Sequence, residues 1–112
     1  MIYEARVATV IPGMEEVFLS RVTNEYFPMV KKHGGKVIGV FQTVFGNSNE
    51  VFYVLGFDDL VHHERVFQSM RKDADYKEMS DRWTKEPSIS NLSSRIVKSP
   101  TVPFLSSAAG AP

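Results

Sequence analysis

Glu4 and Arg6 form the charged pair whose spacing is best suited to chemistry. They lie two residues apart in a β-prone run, residues 2–10, so both side chains point to one face of a strand. If that face is buried, the two charges must be paired, because burying an isolated charge costs several kcal/mol. Two interpretations stay open: an ion pair that fixes strand register or a dimer, and a pair that orients a ligand. Arg95, in a late β-prone run, is a possible further partner.

Gln42 and Tyr53 are the polar residues that could bind a substituent of an otherwise apolar ligand. Two β-branched and aromatic runs, residues 37–45 and 51–57, flank the turn-forming residues 46–49 and predict a β-hairpin. Pairing about that four-residue turn places Phe45 beside Glu50 and Gln42 beside Tyr53. We therefore predict ligand-binding roles for Gln42 and Tyr53, although buried polar groups usually satisfy one another.

Histidine is the remaining candidate for acid–base chemistry, and the chain has three. His62 and His63 are adjacent, so on a helix they point about 100° apart and do not form the i, i+4 pair that holds a metal. His33 precedes two glycines, but no Gly-x-Ser-x-Gly elbow supplies a nucleophile. No dinucleotide-binding or phosphate-binding glycine motif is present either. The sequence predicts no metal and no cofactor, and it names no catalytic residue.

The composition excludes several classes of function. The chain has 112 residues, 13 basic and 13 acidic, so no net field gathers nucleic acid or anionic lipid. It has no cysteine, which excludes disulfides and thiolate chemistry. No run approaches the roughly 18 apolar residues of a membrane span, and the N-terminus begins directly in a strand pattern. We expect a cytoplasmic protein without a nucleic-acid partner.

The order of elements predicts one α+β domain over residues 1–99, followed by a loose tail at residues 100–112. After the first strand, residues 14–33 repeat apolar side chains three to four apart, which indicates an amphipathic helix with a kink at Pro28. Asp58 or Asp59 caps one later helix and Asp73 caps another. Residues 88–98 alternate like a final strand. This β-α-β-β-α-β order predicts a ferredoxin-like fold with both helical connections on one face of a four-stranded antiparallel sheet.

Alternation along the strands sorts the sheet residues into two faces, both of them apolar. We expect one to lie beneath the helices, together with a helical stripe of Tyr76, Met79 and Trp83 that packs as core. We expect a second copy of the chain to cover the other as a homodimer, because monomers rarely expose large apolar patches. The predicted helix-covered face is Tyr3, Ala5, Val7, Phe41, Phe45, Phe52, Val54, Leu92 and Ile96. The predicted dimer face is Ile2, Glu4, Arg6, Val40, Gln42, Val44, Val51, Tyr53, Leu55, Phe57, Asn91, Ser93 and Arg95.

Several short strings, taken in order, resemble the NIPSNAP family over residues 1–100. The resemblance implies a dimeric α/β barrel, while many members have no assigned reaction. The wider superfamily of that fold includes cofactor-independent monooxygenases and haem enzymes. The third strand departs from the family pattern, because Tyr53, Leu55 and Phe57 stand where His, Trp and Tyr are expected. The matching strings are Met1-Ile2-Tyr3-Glu4-Ala5-Arg6, Pro12-Gly13, Lys31-Lys32-His33-Gly34-Gly35-Lys36-Val37-Ile38-Gly39, Phe45-Gly46 with Asn49, Phe57-Asp58-Asp59-Leu60 and Ser94-Arg95-Ile96.

Three functions follow as hypotheses. The first is a small dimeric barrel that binds an apolar or aromatic molecule between its sheet and its helices. The second is a cofactor-independent monooxygenase or isomerase in which Glu4, Arg6, Tyr53 or His62 transfers protons. The third is a non-catalytic scaffold. A cavity of about 300 Å³ or more would separate the first two from the third.

Overall fold

The computed structural model describes residues 1–47 and 49–100 and contains four strands and four α-helices in the predicted order. A π-helical turn joins the first two helices. The elements are β1 (Ile2–Val10), α1 (Glu15–Arg21), the π-helical turn (Val22–Tyr26), α2 (Phe27–Lys32), β2 (Lys36–Gln42), β3 (Glu50–Phe57), α3 (Leu60–Arg71), α4 (Ala74–Lys85) and β4 (Ile89–Lys98).

The four strands form one antiparallel sheet in the order β2-β3-β1-β4. The two central strands, β1 and β3, are paired along their whole lengths, and β2 and β4 form the edges. This is the strand order of the ferredoxin-like fold, so the predicted fold class is confirmed. Of the predicted tail, residues 100–112, all but the first residue lie outside the described residues.

Pro28 explains the irregularity in the first helical connection. Its ring would clash with the carbonyl of Asn24 in a regular helix, and it has no N–H to donate. The π-helical turn lies directly before α2, and Pro28 occupies the first turn of α2, where a missing N–H costs nothing. Gly34 then ends α2 with φ +96°, a conformation that glycine adopts without strain.

The two later helices begin at the predicted aspartates. The Asp59 side chain accepts a hydrogen bond from the backbone N–H of His62 at the start of α3. Asp73 accepts one from the N–H of Asp75 at the start of α4. Each carboxylate satisfies an N–H that would otherwise lack a partner in the first helical turn. Within the described part of the chain, no helix is long and apolar enough to cross a membrane.

The helices cover the sheet face that carries Glu4 and Tyr53, so the predicted orientation of the sheet was wrong for the first three strands. The buried sheet residues Ala8, Val51 and Leu55 lie on this face and form one core with the helices. Alternation grouped the residues of β1, β2 and β3 correctly. Hydrophobicity could not choose between the two groups, because both are apolar. On the covered face one helix residue, His63 of α3, supplies a polar partner to Glu4.

The uncovered sheet face, which we call the open face, carries the residues predicted to lie beneath the helices. Phe41, Phe52 and Val97 are exposed there by 56%, 39% and 40%. On β4 the predicted faces were correct, so Leu92 and Ile96 are exceptions to this reversal. The register sets Leu92 opposite Ala8 and Arg95 opposite Ala5, so Leu92 lies on the helix-covered face and Arg95 on the open face.

The predicted register of the hairpin was also wrong. Gln42 lies opposite Val51, and Val40 takes the place beside Tyr53 that was expected for Gln42. Strand β2 ends at Gln42, so the connection is longer than the predicted four-residue turn, and Phe45 in it is 93% exposed. Between Gly39 and Gln42 the register differs from the predicted one by two residues. An even shift preserves the face of each side chain in that segment, which is why the grouping survived there.

Candidate functional site

A chain of three polar side chains lies beneath the helices. The guanidinium Nε of Arg6 is 2.6 Å from Oε2 of Glu4, and Nε2 of His63 is 2.8 Å from Oε1 of the same carboxylate. Glu4 is 5% exposed. Both oxygens of a buried carboxylate are therefore satisfied, one from the neighbouring position of β1 and one from α3.

Aromatic rings surround the guanidinium of Arg6. Its Cζ lies 5.2 Å from the centre of the Tyr26 ring, 5.7 Å from that of Tyr53 and 5.5 Å from that of Phe67. These distances are within the range of cation–π attraction. Burial lowers the pKa of Arg6, but interactions with Tyr26, Tyr53 and Glu4 outweigh it, so the pKa lies above its ordinary value. Arg6 is a permanently charged, fixed group.

Tyr26 and Tyr53 remain neutral phenols at physiological pH. Their pKa values lie above the ordinary value, and the main cause of this rise is burial of both side chains. A neutral phenol can both donate and accept a hydrogen bond. The two rings meet edge to face with centres 6.1 Å apart, which fixes their positions.

A cavity of about 410 Å³ lies between the sheet and helices α1 and α4. Five aromatic side chains line it, and among the described residues two arginines are its only charged ones. The lining residues of β1 and β3 are Arg6 and Tyr53. The other principal lining residues are Phe18, Arg21, Tyr26, Tyr76, Trp83 and Leu92. Its volume exceeds the threshold of about 300 Å³ that we set for a barrel able to bind a ligand.

Arg21 is the second charged group of this cavity and is 7% exposed. Its Nη1 donates to the carbonyl oxygen of Glu86 at 2.7 Å and to Oγ of Ser88 at 3.3 Å. Its Cζ lies 5.8 Å from the centre of the Trp83 ring. Arg21 thus fixes the junction between α4 and β4 against α1.

A second opening lies on the other side of Arg6. This cleft measures about 520 Å³ and is lined by Glu4, Arg6 and His63, together with Leu60, Glu64, Phe67 and Arg71. Arg6 therefore borders both the cavity and the cleft. The aromatic cavity and the carboxylate–imidazole pair share one wall.

The structure brings together only part of the predicted site. Glu4, Arg6 and Tyr53 are close to one another, whereas Gln42 is exposed at the end of an edge strand and lines neither opening. Arg95 is exposed on the open face, so it does not reach Glu4. Both were placed near the site by errors of register or of face.

Sequence reasoning missed three residues of the site, His63, Arg21 and Trp83. Arg21 interrupts the apolar stripe between Phe18 and Val22, and a charge within such a stripe signals a buried polar contact. Trp83 was assigned to a packed core, yet it lines the cavity. No local pattern pairs His63 with Glu4, since the two are 59 positions apart. The structure holds no cluster of three metal-ligating side chains within its described residues.

Together, the sheet, the helices on one face and the aromatic cavity define a ferredoxin-like α+β domain with an internal cavity. The chain matches the NIPSNAP family over residues 3–103 and belongs to that family. No curated protein matches it.

Solved structures support the same fold. An uncharacterised NIPSNAP domain protein from Burkholderia xenovorans superposes with a TM-score of 0.80 at 18% identity, covering 90% of this chain and 96% of its own. A NIPSNAP family protein from Agrobacterium tumefaciens gives 0.79 at 21% identity, covering 89% and 93%. A proposed antibiotic biosynthesis monooxygenase from Nitrosomonas europaea gives 0.62 at 12% identity, covering 88% and 98%.

Proposed function

We propose that this chain is a homodimeric binding protein that holds a small aromatic molecule in the cavity between its sheet and helices α1 and α4. The observation that carries this proposal is the aromatic cavity of about 410 Å³. Small-molecule sites are mostly apolar concavities of about 300–1,000 Å³ with a few placed polar groups. Tyr26, Tyr53 and Trp83 supply flat apolar surfaces, and the two arginines supply the polar groups.

The open face supports the homodimer. Phe41, Phe52 and Val97 expose apolar surface on one side of a sheet, where a second copy would exclude water from both faces. The family resemblance implies the same arrangement. The dimer therefore joins through the face opposite to the one that carries Glu4. A cytoplasmic location remains part of the proposal, in keeping with a chain that has no cysteine.

Binding is tested with 2-naphthamide, a neutral two-ring probe. Trp83 is the only tryptophan of the chain and lines the cavity, so its fluorescence reports occupancy. We expect saturable quenching in the native protein and none in Ser80→Phe, which places a ring in the cavity wall. Ser20→Phe makes the same substitution at an exposed position of α1 and should bind normally. An absence of saturable quenching in the native protein would favour a scaffold without ligand.

A second candidate function is an enzyme of the cofactor-independent oxygenase or isomerase type. It is favoured by the hydrogen-bonded pair of Glu4 and His63, which lines the cleft and could accept a proton from a carbon acid. The fold shared with the proposed monooxygenase is a weaker argument. Exchange of the α-protons of 2-tetralone in heavy water, followed by NMR, tests it. We expect exchange to be faster with the native protein than in buffer alone, and the rate with His63→Gln to equal that of the buffer. Equal exchange rates with the native protein and with His63→Gln would exclude this function for such ketones.

A further inference from the structure

Arg21 differs from Arg6 in lacking a counter-ion. Across residues 1–47 and 49–100, no carboxylate lies within ion-pair distance of Arg21, whereas Arg6 is paired with Glu4. The nearest candidate along the helix, Glu25, is bound by Arg82 instead. Glu25 still acts on Arg21 at longer range, since the charge of Arg21 helps to lower the pKa of the Glu25 carboxyl. Among the described residues no acidic side chain lines the cavity, so Arg21 is its one guanidinium without a direct ion pair.

The guanidinium of Arg21 also has donors to spare. Only Nη1 is used in its hydrogen bonds to Glu86 and Ser88, and in the described part of the chain Nε and Nη2 make none. A guanidinium has five N–H donors in a rigid planar fork. Neither Nε nor Nη2 is a fully buried atom without a partner, so both remain accessible to water or to a ligand. Arg21 lines the cavity, so its charge and its unused donors belong to the cavity wall.

We infer that the ligand of this cavity is a small aromatic carboxylate, with its carboxylate on Arg21 and its rings against the aromatic wall. The inference deepens the binding function proposed above and rests on it. A carboxylate is planar and accepts two parallel N–H bonds from the guanidinium fork, which matches the free Nε and Nη2. The negative charge of the carboxylate pairs with Arg21, which has no direct ion pair, whereas Arg6 is already paired with Glu4.

The position of Trp83 and Ser88 agrees with this orientation. The Trp83 ring lies against the guanidinium at 5.8 Å and leaves the edge of the fork available. The Ser88 hydroxyl touches Nη1 and lines the same cavity, so it can donate a further hydrogen bond to a bound carboxylate. Tyr26 and Tyr53 also line the cavity and offer ring surface to the apolar part of the ligand.

The test compares 2-naphthoate with 2-naphthamide, which has nearly the same shape and no charge, by quenching of Trp83 fluorescence. In the native protein we expect naphthoate to bind at least about tenfold more tightly, because a charge-assisted hydrogen bond contributes about 1.5–3 kcal/mol. Arg21→Gln should weaken naphthoate by about 10- to 100-fold and leave naphthamide within about threefold. Arg65→Gln removes a charge from an exposed position of α3 and should preserve the preference.

Each result has a separate meaning. Equal binding of the two probes, or an unchanged preference in Arg21→Gln, would overturn the carboxylate inference while the binding function stands. Failure of both probes to bind the native protein would overturn the binding function with it. Because Arg21 also supports the backbone at Glu86, the ratio of the two affinities within each variant is the deciding quantity. If Arg21→Gln does not fold, Arg21→Lys keeps the charge without the fork and should reduce the ratio.

Discussion

Oε1 of Glu4 lies 2.8 Å from Nε2 of His63, so a carboxylate in the first strand is held by an imidazole of α3. The other oxygen of Glu4 is paired with Arg6 at 2.6 Å. Among the described residues, His63 is the helix residue that completes the hydrogen bonding of Glu4. The pair therefore fits a sheet whose Glu4 face lies beneath the helices.

Glu4→Gln should destabilise the protein. The substitution removes the counter-ion of Arg6, whose side chain is only 15% exposed, and breaking one partner of a buried pair costs about 3 kcal/mol. Urea unfolding at neutral pH measures the change in the free energy of unfolding. Glu64→Gln, at an exposed position of the same cleft, should change it by less than about 0.5 kcal/mol. Equal effects of the two substitutions would contradict the structural importance of the Glu4 pair.

Stability at acid pH should depend on Asp73. Hydrogen bonds from Lys32, His33 and the N–H of Asp75 lower the pKa of its carboxyl below the ordinary value. Such a group stabilises the fold above its unfolded pKa of about 3.9, and that stabilisation is lost as pH falls toward the folded pKa.

The native protein should therefore melt at a higher temperature than Asp73→Asn at about pH 5, and the difference should narrow toward about pH 2. Thermal unfolding followed by circular dichroism gives both melting temperatures. Asp81→Asn, an exposed position of α4, should show a smaller difference throughout. A difference that does not vary with pH would show that the Asp73 carboxyl has no depressed pKa.

Phe52→Glu should convert the proposed homodimer into monomers. Phe52 lies near the middle of the open face, and a carboxylate there would have to be buried without a partner in the dimer. Sedimentation equilibrium gives the mass of the native protein and of the variant. Val61→Glu places the same charge at an exposed apolar position of α3 and should leave the mass unchanged. A native protein that is monomeric at micromolar concentration would refute the dimer itself.

Gly35→Ala should lower the free energy of unfolding by about 1–3 kcal/mol. A methyl group there would lie 2.5 Å from Cγ1 of Val30 and 3.2 Å from Cε1 of Phe57, so core side chains must move. At the neighbouring Gly34 a Cβ would make only an ordinary contact, 3.8 Å from Nε2 of His62, but φ is +96°, so Gly34→Ala is opposed by backbone strain alone. Chemical denaturation of both variants distinguishes the causes, because Gly34→Asn should recover part of the loss and Gly35→Asn should not.

Local sequence patterns predicted the elements, their order and the helix caps, because turn residues, alternation and capping aspartates act over short distances. They also assigned Glu4, Arg6 and Tyr53 to one face. They did not predict which face is covered, since that depends on contacts such as Glu4 with His63 between distant elements. Arg95 was assigned to the site because the covered face of the sheet was not known. Gln42 was assigned to it because a short turn was assumed, and the longer connection between β2 and β3 goes with a different register.

The π-helical turn Val22–Tyr26 sets the direction in which the side chains of α1 point relative to those of α2. Phe27 donates its N–H to the carbonyl of Val22, five positions earlier, so the turn holds one residue more than regular helical phase allows. Deleting a single residue within it would restore the phase and rotate everything before it by about 100° relative to α2. Phe18 and Arg21 would then turn away from the cavity while Val30 kept its place in the core. A single-residue deletion would thus separate a chain whose Arg21 lines the cavity from one whose Arg21 points to the solvent.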